Sequence, residues 1–168
     1  GRDRGGLVDH HNQLERREFK YFVHPQHLDG LREAVRTVCK RDPHAGPNGR
    51  YSIRSLYFDT PIRDLYIANQ EERPDRFKLR VRSYPAVPDS SVFLEVKRRI
   101  GDVIMKSRSG VSPDWWATLV QEPQRLGDLD QTAAEKAATT RFLHQVHRHH
   151  LEPAVIVEYD REAFSSTV

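Results

Sequence analysis

One cysteine, Cys39, and one methionine stand in 168 residues. A lone thiol closes no intrachain disulfide, so the fold must rest on its core, and a reducing cytoplasm is the expected compartment. Long hydrophobic runs are missing too. No apolar stretch approaches the roughly 20 residues that cross a bilayer. The opening "GRDRGGLVDHHN" has charges with no hydrophobic segment behind them, so neither a membrane span nor a secretory signal is expected. Aromatics are sparse at 9%, while charged residues reach 30%. There is no internal repeat and no low-complexity tract. The length suits one domain of ordinary size with a real core.

A large excess of one charge sign is also absent overall, since the net charge is +3. Locally the balance differs. Residues 76–108 hold nine Lys and Arg against three Asp and Glu, a local excess of six. A concentrated field of that kind suits an anionic partner.

The stretch "RFKLRVRSY", 76–84, alternates: Phe77, Leu79 and Val81 on one parity, Arg76, Lys78, Arg80 and Arg82 on the other. Alternation is the period of a strand, and residues two apart lie about 6.6 Å apart on one face. That face therefore carries four cations in line.

The same reading predicts strands over 14–23, 51–60, 91–100, 103–111 and 154–164. Helices are expected over 26–42, near 62–69, after Ser112 as N-cap with Pro113 in the first turn, and over 130–150 with Pro153 as its stop. Residues 43–49 and 84–90 read as loops and 101–102 as a tight hairpin turn. Residues 1–12 are expected to be disordered and 13–168 to form one domain. The fold class is α+β, an antiparallel sheet closing toward a tunnel or open barrel with helices packed outside.

Parity repeats one theme across the strands. Arg16, Glu18 and Lys20 share a face; so do Glu95, Lys97 and Arg99; so do Lys106 and Arg108; so do Val157, Tyr159 and Arg161. For one strand, a solvent-facing charged side explains the pattern. For five strands it explains less, because solvent faces mix signs. Turned inward, the face would line a passage with Lys and Arg, which suits a triphosphate or polyphosphate. Glu18 and Glu95 could hold Mg²⁺ or Mn²⁺ there, or serve as ion-pair partners that orient Lys20 and Lys97; both roles stay open.

Taken in order, "RREFKYFV", "YSIRSLYFDT", "RFKLRVRSY", "VFLEVKRRI", "VIMKSRSGV" and "VIVEYDREAF" resemble the VTC domain, the polyphosphate polymerase domain of the vacuolar transporter chaperone complex. That domain is grouped with the CYTH-like triphosphate tunnel metalloenzymes. The resemblance covers residues 14–164. It implies binding of ATP or another nucleoside triphosphate and of inorganic polyphosphate, with metal-assisted transfer of the γ-phosphate to a growing chain. It implies catalytic contacts from Lys20, Arg80, Arg82 and Lys97. Substrate contacts are implied for Lys106, Tyr159 and Arg161, with Lys78, Arg99 and Arg108 more peripheral. The family continues past the last strand with at least two more, carrying an Arg, a metal-binding Glu and a Lys, so the tunnel of this chain is expected to be incomplete at the C-terminus. Hydrolysis on the same fold, or binding without turnover, are the alternatives. Nucleic acid is not an expected partner, since the cationic face offers few aromatics for base stacking.

Other features have plainer expectations. His144, His147 and His150 read as a cationic helix end, Trp115 and Trp116 as core packing, Asp59 as a turn contact and Cys39 as a small core residue.

Overall fold

The computed structural model describes residues 19–42, 49–85 and 90–166. They fall into two compact units divided after Val38. In the first, a short turn of 3₁₀-helix leads into α1 (Leu28–Val38). Residues 19–24 carry no strand, contrary to the alternation of "LERREFKYFV", and Phe19, Tyr21 and Phe22 are exposed. Alternation makes a strand only where a neighbour takes up the backbone hydrogen bonds. Residues 1–12, including the expected disorder, and 14–18 lie outside the described residues.

The second unit holds the sheet. β1 (Cys39–Arg41) pairs with β7 (Phe164–Ser166), so "CKR" is a strand rather than the end of a helix, and Cys39 is half-buried there rather than in the core. The main sheet is antiparallel throughout. Its members are β2 (Arg50–Asp59), β3 (Asp75–Ser83), β4 (Val92–Ile100), β5 (Val103–Val111) and β6 (Glu152–Glu162), in the spatial order β5-β4-β3-β2-β6. Among the described residues β5 and β6 are its edges.

One face of this sheet is the core. Phe58, Leu79, Val81, Leu94 and Val111 pack against Leu119 of α3 (Trp116–Gln121) and against Phe142, Leu143 and Val146 of α4 (Ala133–Arg148). The rings of Phe58 and Phe142 meet edge to face, 5.7 Å apart. Trp115 and Trp116 join this cluster, as expected. The buried polar atoms are satisfied: Thr139 Oγ1 lies 2.8 Å from Ser109 Oγ, and Gln131 Nε2 donates to Ser109 Oγ and the Gly110 carbonyl.

Helix ends explain two departures from the expected boundaries. The Ser112 carbonyl accepts the Trp115 N–H in a separate turn, and α3 begins only at Trp116. α4 starts with a capping box between Thr132 and Glu135. It ends before Pro153, because His150 turns left-handed (φ 51°) and the Leu151 N–H reaches back 2.9 Å to the Val146 carbonyl. Pro153 sits inside β6, opposite Phe58 at a register shift, on an edge strand that tolerates a missing donor.

Candidate functional site

The other face of the sheet carries the alternating cations, and the strand register fixes who stands beside whom. Reading across β2, β3, β4 and β5, one row is Tyr57, Arg80, Glu95, Arg108. The next row toward the β4–β5 turn is Lys78, Lys97, Lys106 on β3, β4 and β5. Beyond it stand Arg76, Arg99 and Ile104. On the other side of the Glu95 row stand Ser55, Arg82, Phe93 and Gly110. Tyr159 and Arg161 of β6 pair with Ile53 and Tyr51 and so share this face.

Three lysines directly abreast are a destabilising arrangement, since like charges across adjacent strands repel. All three are exposed. The opposite face of β2 and β6 provides the comparison. There Arg50 meets Glu162 at 2.8 Å, Arg54 meets Glu158 at 2.9 Å, and Ser52 hydrogen-bonds Asp160. That is an ordinary solvent surface with matched signs. In the lysine row each cross-strand pairing instead sets like charge against like.

Glu95 organises the adjacent row. Its side chain is 14% exposed, and it lies between three arginines. Arg80 Nε donates to Oε2 at 2.6 Å, Arg82 Nε lies 3.7 Å from Oε2, and Arg108 Nε lies 3.5 Å from Oε1. Arg80 also donates from Nη1 to the Tyr57 hydroxyl at 2.8 Å. Burial works against the Arg80 charge, but the Glu95 hydrogen bond and charge, helped by Tyr57, hold its pKa above the usual arginine value. Arg82 contacts Ser55 Oγ at 3.4 Å. Arg108 stacks 3.6 Å above the Phe93 ring and reaches the Tyr84 hydroxyl.

Of the residues expected from sequence, this face brings together Lys78, Arg80, Arg82, Glu95, Lys97, Lys106, Arg108, Tyr159 and Arg161. Arg99 is turned toward the hairpin: it donates to the Gly101 carbonyl at 2.8 Å and lies 3.6 Å from Asp102. Lys20 belongs to the first unit, outside any strand, and Glu18 lies outside the described residues. Ser55, Tyr57 and Tyr84 escaped the sequence reading. Their signal was parity, since Ser55 and Tyr57 share the odd face of "YSIRSLYFDT", but only the β2–β3 register puts them on the arginines.

A divalent ion in a phosphate site takes one or two carboxylates plus phosphate oxygens. Glu95, the carboxylate at the centre of this face, has both oxygens turned to guanidinium groups. A cation placed there would face three positive charges. Among the described residues no group of three His, Cys, Asp or Glu side chains converges as a metal site. The described residues thus do not fit Mg²⁺ or Mn²⁺ by themselves. Nor is any described helix long and apolar enough to cross a membrane.

The fold is shared with a solved protein from Bacillus halodurans, provisionally assigned as an adenylate cyclase and of the CYTH-like tunnel fold, at a TM-score of 0.51 and 16% identity. The match covers 86% of this chain and 64% of that one, so the chain spans under two thirds of its length. No curated protein matches the chain. The family model of the VTC domain, by contrast, matches residues 15–168, the whole sheet with its helices included. On that match the chain belongs to the VTC domain family.

Proposed function

We propose that the cationic face binds the phosphate chain of ATP or another nucleoside triphosphate and of inorganic polyphosphate, and that it supports transfer of the γ-phosphate to a growing polyphosphate. The observation that carries this reading is the lysine row beside the arginine row: Lys78, Lys97 and Lys106 abreast, next to Arg80 and Arg108 on either side of Glu95. Family membership and the shared tunnel fold support nucleotide or triphosphate binding as the coarser function. Phosphoryl transfer asks mainly for positioning and charge neutralisation, which Arg forks and Lys point charges supply. Arg80, Arg82 and Lys97 would hold the reacting phosphates, with Lys106, Arg108, Tyr159 and Arg161 along the chain.

Incubation with ATP and Mg²⁺ or Mn²⁺, with ADP and polyphosphate resolved on a gel, tests the transfer. Chain growth is the expected result. Phosphate release without chain growth would assign hydrolysis instead. Tight tripolyphosphate binding with no turnover would leave a binding module, a reading favoured by the poor fit of Glu95 to a metal. Absence of both binding and turnover would end the phosphate reading.

A further inference from the structure

We propose that Glu95 is a positioning residue that presents Arg80, Arg82 and Arg108 to a phosphate chain, and that it is not a divalent-metal ligand. The role deepens the phosphate reading and rests on it. The geometry of the three contacts points to it, because in each the Glu95 carboxylate meets the Nε edge of the guanidinium: Arg80 Nε at 2.6 Å, Arg82 Nε at 3.7 Å and Arg108 Nε at 3.5 Å. The solvent-facing pair Arg54–Glu158 is also an Nε contact, but there the carboxylate meets one arginine, whereas Glu95 alone draws in three, from β3 and β5.

Holding the Nε edge leaves the terminal nitrogens. Among the described residues, Arg80 Nη1 goes to Tyr57 and Arg108 Nη2 to Tyr84, while no hydrogen bond occupies Arg80 Nη2, either Nη of Arg82, or Arg108 Nη1. Arg80 is fixed on a second side by the Tyr57 hydroxyl and Arg108 by the Phe93 ring, while Arg82 donates its Nε–H to Ser55 Oγ and meets Glu95 as an ion pair at 3.7 Å. Along their strands, Arg80 and Arg108 stand two residues from Lys78 and Lys106, and Arg82 stands four residues from Lys78. Without a carboxylate among them, three guanidiniums this close would repel and spread, and a ligand would have to gather them at its own expense in affinity. Glu95 gathers them beforehand.

The test uses the full chain. Glu95→Gln keeps the side-chain volume and removes the charge; Glu95→Asp keeps the charge on a shorter stem. Tripolyphosphate is titrated calorimetrically in EDTA and again with Mn²⁺, and arginine Nε–H resonances are followed in the ligand-free protein. For Glu95→Gln we expect tripolyphosphate affinity to fall about tenfold, alike in EDTA and in Mn²⁺, with partial recovery in Glu95→Asp. The Arg80 Nε–H signal should be strongly hydrogen-bonded in the wild type and lose that character in the variant. Unchanged affinity in EDTA with loss of any Mn²⁺ effect would make Glu95 a metal ligand and overturn the proposal. So would tighter binding, which would mark Glu95 as a brake, or a lowered melting temperature with unaltered affinity, which would mark a purely structural ion pair. A wild-type chain that binds no tripolyphosphate would overturn the phosphate reading and this role together, whereas an affinity for wild type equal to that of Glu95→Gln would overturn this role alone.

Discussion

At the scale of single residues, charge and partnership divide the arginines of one strand. Arg80 and Arg82 are 28% and 12% exposed, share Glu95, and have side-chain donors left over. Arg76 donates its Nη1 to the Arg73 carbonyl at the strand's start. Replacing Arg80 and Arg82 together by Ala should therefore weaken tripolyphosphate binding by two orders of magnitude or so, at about tenfold for each charge-assisted bond to phosphate that the change removes, while Arg76→Ala alters it little. Calorimetric titration of the three chains checks the ranking, and equal effects for Arg76 and for the pair would sink it. The parity of "RFKLRVRSY" made all four arginine and lysine side chains visible as one row. It could not separate them, because separation depends on which residue of β4 stands opposite. Glu95 shows the same gap: sequence left it open between metal and ion pair, and its partners are arginines from two strands brought together only by register.

At the scale of elements, local signals served best where one residue does a local job. Asp59 ends β2 and caps α2 (Asp64–Gln70) from a distance. Its carboxylate accepts the N–H groups of Thr60, Leu65 and Tyr66 at 2.8–2.9 Å, while Arg63 at the N-cap position, left-handed at φ 64°, offers no side-chain bond. The "YFDT" turn was legible for that reason. Asp59→Ala should cost about 2 kcal/mol in urea unfolding at neutral pH, with much of it restored by Asn, which keeps an acceptor. Elements that exist through a distant partner were not legible: β1 is three residues paired with the chain's far end, and nothing in "CKR" announces it. The end of α4 adds a pH effect. His149 packs on Phe77 with ring centroids 5.2 Å apart, and burial, followed by the charges of Arg148, His144, Arg98 and His150, lowers its pKa. The folded chain then favours neutral imidazole. That stability is present above the unfolded value of about 6.5 and is lost as pH falls through the lower folded value. Melting curves between about pH 7.5 and pH 5 should show a decline that His149→Gln reduces; identical declines would assign the effect elsewhere.

At the scale of the molecule, the two faces of one sheet are solved by opposite rules. The face under α3 and α4 is apolar and satisfied, and on the β2–β6 margin beside it Arg50 and Arg54 each meet a glutamate while Ser52 donates to Asp160. The remaining face concentrates like charge across β3, β4 and β5, in a chain whose net charge is only +3. Composition revealed that imbalance, but alternation along separate strands could not say that three lysines stand in one row. If the row exists for a polyanion, its repulsion is a standing cost of the empty protein and its attraction is the gain on binding. Both are long-range and should respond to salt, since screening shortens from about 30 Å at 0.01 M to about 3 Å at 1 M. Tripolyphosphate should raise the melting temperature of the wild type strongly at low salt and weakly at high salt. With Lys78, Lys97 and Lys106 all changed to Gln, the empty protein should melt higher at low salt, because the repulsion is gone. The same variant should lose most of the ligand's stabilisation and most of its salt dependence. An unaltered ligand effect with the same salt response would mean that the row is a surface accident and that the anion, if it binds, binds elsewhere.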